Sequence, residues 1–383
     1  MINIVGQTST RKTFYVAHCF VTNEQEVSYL WTFQTLYNQL IQAKIQAPRV
    51  IFSDDADAVL NACREAFKDS ICLICFWHIM KNIETRVRPM IAKQLLSQDL
   101  PNSDHQKRTI KEWQSTKARF MQKVLEGTED RMEARKASFL EALSDPSYQT
   151  AIEYIKKQWF GERAKQFMRC YLNGIPYYDE LTPSRVEGAH SKLKREIHTS
   201  TGDILATMEV ISRVVSYTNS QGLHSIQDQI HRHPISLQVP FLRNLLGHIS
   251  RSAIRKVYHT WQDFLRAEKQ LPPCTQYQTR SLGLPCNHTI KDRIDSGNFL
   301  LPSDFDQQHW LRLPNRVIQA SQRQRIGRVR INEPNRVKRV GRPKLLETVK
   351  RWPRWGNKNY HGRRFSSSLV LLSPEINLFA PRN

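Results

Sequence analysis

Val50-Ile-Phe-Ser-Asp-Asp55 is a short apolar run of strand-forming residues that ends on two carboxylates, the pattern of a buried strand in an α/β sheet. β-branched and aromatic side chains suit a pleated, half-buried surface. The next segments predict a helix over 56–67, a second apolar strand over 70–75 and a helix from about residue 77. Upstream, residues 1–6 and 12–21 are rich in the same residue types and flank the polar Gln7-Thr-Ser-Thr10, which predicts a hairpin. Between hairpin and strand, Val27, Leu30, Phe33, Leu36, Tyr37, Leu40 and Ile41 recur at helical spacing. Hairpin strands followed by alternating helices and strands predict a mixed α/β sheet.

Beyond it, Leu96 to about Lys165 reads as helix throughout, with Phe120, Met121, Val124, Leu125, Phe139, Leu140 and Leu143 as apolar positions. The spacing therefore predicts a first sheet segment over 1–95, a helical insertion over 96–180 and closing helices over 181–270, starting at Ser184, near Asp203 and at about Val239. A compact Cys/His segment over 271–313 precedes a basic tail, 314–383, which has little apolar periodicity and is expected to be largely disordered.

Composition narrows the class. A chain of 383 residues with 40% hydrophobic content can bury a large core. No apolar run approaches the roughly 18 residues that a membrane span needs, so no membrane partner is expected, and the first residues do not read as a secretion leader. Seven unevenly spread cysteines suit reduced thiols or metal ligands better than a disulfide framework. The net charge is +22, and residues 312–364 hold 17 Lys and Arg against 2 Glu. Such a concentration implies a polyanionic partner, nucleic acid first, because phosphate contacts release counterions.

Each candidate residue has a structural reading beside the chemical one. Asp54 and Asp55 stand where a strand gives way to a helix, a place where ligands gather in α/β sheets but also where Asp serves as a helix cap. Glu187, in Ser184-Arg-Val-Glu187, satisfies the capping-box pattern. The small residues that follow, Gly188-Ala189, would let that helix approach the sheet and aim Glu187 at the strand ends. Cys75 and His78 form a Cys-x-x-His at a strand-to-helix junction; two ligands do not make a zinc site, and a structural role is the simpler reading. Cys274, Cys286 and His288 supply three of the four ligands that tetrahedral zinc takes, with His309 as the nearest fourth. Arg339, Arg342 and Lys344 surround Gly341-Arg-Pro343, similar to the core of a minor-groove hook for A·T-rich DNA, although Val340 stands where that hook carries its first Arg.

Taken in order, Asn3-Ile-Val-Gly6, Phe14 to Phe20, Trp31, Ser53-Asp54 with Leu60-Asn61-Ala62, Cys75-Phe-Trp-His-Ile79 with Lys81-Asn82, Ser184 to His190, and Gly283-Leu-Pro-Cys-Asn-His288 through His309-Trp310 resemble a Mutator-like element (MULE) transposase. The resemblance spans roughly residues 1–313. It implies a ribonuclease-H-like catalytic domain, interrupted by the helical insertion, with an Asp-Asp-Glu trio holding two Mg²⁺ or Mn²⁺ ions for strand cleavage and transfer. Asp54 matches the second Asp and Glu187 the Glu; Asp55 and Asp57 are weaker stand-ins. Cys75 and His78 match the family's Cys-x-x-His. The Cys274 segment resembles a degenerate SWIM zinc finger, with Gln276 where its second Cys falls.

The family's first Asp belongs to a strand upstream of residue 1, and residues 1–53 contain no Asp. The expectation is therefore an N-terminally truncated transposase that acts in the nucleus, binds terminal repeats or A·T-rich DNA and neither cleaves nor joins it, with an unpaired position left in its sheet. Self-association is left open. The alternative is a transposase-derived transcription regulator, resembling the plant far-red response regulators, that binds DNA without catalysis. A generic RNA-associated protein is a weaker rival, since no glycine- and aromatic-rich RNA-binding strand motif is present.

Overall fold

The computed structural model describes residues 1–96, 102–141, 143, 148–180, 184–197, 204–266, 270–271, 273–313 and 368–372, and for residues 94–96, 102–104, 184–187 and 368–372 the backbone alone. The fold is mixed α/β and mostly helical. The hairpin forms as β1 (Ile2–Gln7) and β2 (Thr13–Cys19), followed by α1 (Glu26–Gln42), β3 (Val50–Ser53), α2 (Asp57–Ala66), β4 (Ile71–Ile74) and α3 (Phe76–Leu96). Alternation sorts the strand side chains onto two faces. Ile2, Ile4, Phe14 and Ile51 pack with Tyr29, Phe33 and Leu40 of α1 and Val59 and Cys63 of α2. Val5, Tyr15, Val50, Phe52 and Leu73 face the other way.

That second face is covered by α7 (Ser184–Ile197), α8 (Ile204–His231) and α9 (Arg251–Arg266), which contribute Leu193, Val214, Ile254, Val257 and Trp261. The single helix expected from about Val239 is divided. Residues 240–245 form a 3-10 turn that starts on Pro240, Gly247 takes a left-handed φ of 79°, and α9 begins only at Arg251. Leu242, Leu245, Ile249 and Ile254 all point into one core, so their spacing imitates an unbroken helix.

The sheet order is β2-β1-β5-β3-β4, where β5 is Ser368–Leu372. β5 runs parallel to β1, pairing Val5 with Val370, and antiparallel to β3, pairing Phe52 with Val370. This corrects one expectation: the position beside β1 is filled rather than unpaired, by residues 368–372 of the tail. Five residues cannot announce themselves as a central strand, because their periodicity is too short to separate from chance.

The insertion comprises the rest of α3, α4 (Asn102–Val124), α5 (Glu129–Glu141) and α6 (Gln149–Trp159), which bury Phe76, Trp113, Phe120, Phe139 and Trp159 in a core of their own. Lys123 is sunk in that core, 1% exposed, with its Nζ 2.9 Å from the centre of the Phe160 ring and no hydrogen-bond partner among the described residues. Burial, with nearby Lys136, pulls its ammonium down to about 7. Below that pH the folded and unfolded chains are both protonated and the folded state carries the whole burial cost. As pH rises toward the free-lysine range the unfolded chain binds more protons, so stability climbs. Lys123→Met should therefore be more stable than the parent by about 1–4 kcal/mol at pH 6. The gain should shrink steadily above pH 7, which urea unfolding at a series of pH values reads directly.

Candidate functional site at the end of the sheet

Two ends of the sheet carry different chemistry. At one end, Asp54 follows β3 directly, and its Oδ1 accepts the Ala56 backbone N–H at 3.5 Å, a loose Asx turn that leads into α2. Asn3 of β1 pairs with Ser368 of β5. Continuing the antiparallel register from the Phe52 and Val370 pair brings Asp54 level with Ser368. Asn3, Ser368 and Asp54 thus share one row across the sheet. His18, the β2 partner of Asn3, extends it.

Asp55 does not belong to that row. It forms an ion pair with Arg163, which also reaches Asp57 at 2.6 Å and the Asp55 carbonyl at 3.3 Å. Asn82 and Gln158 approach Asp55 at 3.4 Å each. Asp55 and Asp57 therefore tie the α2 entrance to the end of the insertion, and the second carboxylate of the Asp pair has a structural explanation. The pairing was invisible in the sequence because its partners lie more than a hundred positions apart.

Glu187 sits in the first turn of α7, and its side chain lies outside the described residues. Just beyond it, the Ala189 carbonyl accepts a hydrogen bond from the Tyr15 hydroxyl at 2.9 Å, which fixes α7 above β2. Among the described residues no three His, Cys, Asp or Glu side chains converge on Asp54. Asp54 with its described neighbours does not by itself fit a hard divalent cation such as Mg²⁺ or Mn²⁺.

Cys75 and His78 remain close in sequence but join no such cluster among the described residues. Cys75 is buried, its backbone N–H donating to the Ser53 carbonyl at 2.8 Å, and His78 lies edge-on to Trp77. Both continue the junction between β4 and α3.

The Cys/His segment docks at the opposite end of the sheet. Gln308 donates to the Gln7 carbonyl at 3.1 Å, and Arg49, just before β3, gives Asp306 two hydrogen bonds of 2.9 Å. Tyr178 adds a third contact to Asp306 at 3.1 Å. Nearby, buried Glu180 receives Gln7 at 2.7 Å and Arg11 at 2.5 Å. No sequence signal marks these side chains, because each pair joins segments remote in the chain.

Within the segment, α10 (Tyr277–Leu282) and α11 (Asn287–Asp295) bring Cys274, Cys286 and His288 together, their ligand atoms all within 4.8 Å of one another. Burial raises the Cys286 thiol, but hydrogen bonds from Thr289, Cys274 and His288 outweigh it and bring the thiol down to about 7. Two thiols beside an imidazole are the donor set that borderline cations take. His309 is not a fourth member. Its Nε2 is 2.7 Å from the Leu282 carbonyl and its ring lies against Tyr178, so it is spent on docking the segment. Gln276 caps α10 with a left-handed φ of 56°. Arg339, Arg342 and Lys344 lie outside the described residues.

Residues 1–82 match the family model of the MULE transposase domain. That match covers β1 through β4 and the start of α3, includes Asp54, Cys75 and His78, and leaves Glu187 outside; over these residues the chain is similar to a MULE transposase. No curated protein and no solved structure matches the chain.

Proposed function

We propose that this chain is a transposase-derived DNA-binding protein with a ribonuclease-H-like sheet, acting in the nucleus, that holds duplex DNA without cutting it. The observation that carries the reading is the MULE transposase match over residues 1–82, which includes β3 and the Asp54 that follows it. Intact family chemistry would use Mg²⁺ or Mn²⁺ between three carboxylates. Here Asp55 is committed to Arg163, and the strand beside β3 reads Ser-Leu-Val-Leu-Leu without a carboxylate. A DNA partner follows from the charge: the excess over residues 312–364 supplies phosphate contacts to terminal repeats or A·T-rich duplex.

Replacing the Lys and Arg residues of 312–364 by glutamine keeps the length of the connection and removes its positive charge. Affinity for duplex DNA should fall for all sequences, and the slope of log K against log salt should flatten by about 0.9 for each phosphate that the tail no longer neutralises. Anisotropy titrations between low and moderate salt measure both. An unchanged slope would show the tail idle.

Zinc belongs to the same reading at Cys274, Cys286 and His288, with an open fourth position. Zinc content measured by mass spectrometry should fall by one ion per chain in Cys286→Ser. Equal content in parent and variant would remove the metal from this cluster.

A further inference from the structure

The face of the sheet beneath α7 carries polar groups that the DNA-binding reading does not use. Asn3 is fully buried, and among the described residues neither its amide nitrogen nor its carbonyl oxygen has a hydrogen-bond partner. His18, its direct cross-strand neighbour, also has both ring nitrogens shielded from solvent and without such a partner. Directly paired side chains stand about 5 Å apart at Cβ, so four orphaned polar atoms share one small volume. Polar atoms left dry in this way are costly, and clusters of them call for an occupant.

His190 of α7 lies near enough for its charge to act on His18. Tyr15 places it: its ring centre is 5.0 Å from that of His18, and its hydroxyl holds Ala189, the residue before His190. His190 is itself buried. Burial, together with the neighbouring His190 charge, drives His18 down to about 4, so its imidazole is neutral at pH 7 and has a lone pair to give.

We propose that His18, His190 and Asn3 form a binding site for a borderline divalent cation of the zinc, cobalt or nickel class, separate from the thiolate cluster at Cys286. Two imidazoles and an amide oxygen make a three-donor set of nitrogen and oxygen, which suits these ions better than Mg²⁺ or Ca²⁺. A fourth position is left for water or another donor. The site uses neither Asp54 nor Glu187 and stands whether or not the chain contacts DNA.

Cobalt separates the sites by colour, because thiolate ligands add a near-ultraviolet charge-transfer band and imidazoles do not. In full-length Cys286→Ser, one Co²⁺ should still bind, with visible bands and no thiolate band. Adding His18→Gln or His190→Gln should weaken that binding by more than about 100-fold, beyond what removing a mere supporting partner costs. Asn3→Asp should tighten it while lowering the melting temperature of the metal-free protein. Two results would overturn the assignment: Cys286→Ser taking up no Co²⁺, which would leave the volume to water, or undiminished uptake in both His variants with normal circular dichroism.

Discussion

Val370→Pro should destabilise the sheet by about 3 kcal/mol or more, since proline gives no ladder N–H and its ring disrupts a central strand. Val370 is the residue through which β5 pairs with Val5 on one side and Phe52 on the other. β1 and β3 do not pair with each other, so among the described residues β5 alone joins the hairpin to the β3 and β4 pair. Loosening it leaves backbone groups of both neighbours unpaired and opens Val5, Ile4, Ile51 and Phe52, all fully buried, to water. Urea unfolding should show the deficit, and amide exchange should accelerate in β1 and β3 while the core of α3 to α6 keeps its protection. Stability within about 1 kcal/mol of the parent, a level typical of surface substitutions, would mean that the tail strand does not hold the sheet together.

The second large effect is expected at Gly283. Its φ is 67°, and a Cβ there would lie 2.6 Å from Asp306 Cβ and 3.2 Å from the Tyr178 ring. Any side chain must push Asp306 away from Arg49 and Tyr178, the partners that dock the Cys/His segment. Gly283→Val should cost about 3 kcal/mol, combining left-handed strain with broken hydrogen bonds at Asp306. Protease cleavage within 273–313 should appear while the sheet remains folded. Gly297→Ala provides the control: φ is 69° but nothing lies within 4 Å, so only the strain of about 1–2 kcal/mol remains. Equal destabilisation at the two glycines would show that docking through Asp306 contributes nothing measurable.

The legible part of this fold is the part written in local periodicity. The hairpin, α1, and the alternation from β3 to α3 are each carried by their own spacing of apolar residues, and they appear where that spacing puts them. The break before α9 was hidden because Leu245 and Ile254 face the same core from two separate elements. β5 was hidden because a strand is recognised partly by what flanks it, and its partners β1 and β3 are hundreds of positions away. At the candidate site, Asp54 and the Cys274, Cys286 and His288 cluster follow from motif and spacing. The diversion of Asp55 to Arg163, of His309 to the Leu282 carbonyl, and the orphaned Asn3 and His18 depend on tertiary neighbours that no local pattern encodes.

The proposed function is DNA binding without DNA cutting, by a chain whose strand β3 runs into Asp54. Incubating the full chain with labelled terminal-repeat duplex and Mn²⁺, then resolving the mixture on native and denaturing gels, tests both halves together. A salt-sensitive shifted complex whose strands are intact after release is the expected result. Nicked strands that disappear in Asp54→Asn, or no complex even at low salt, would contradict it.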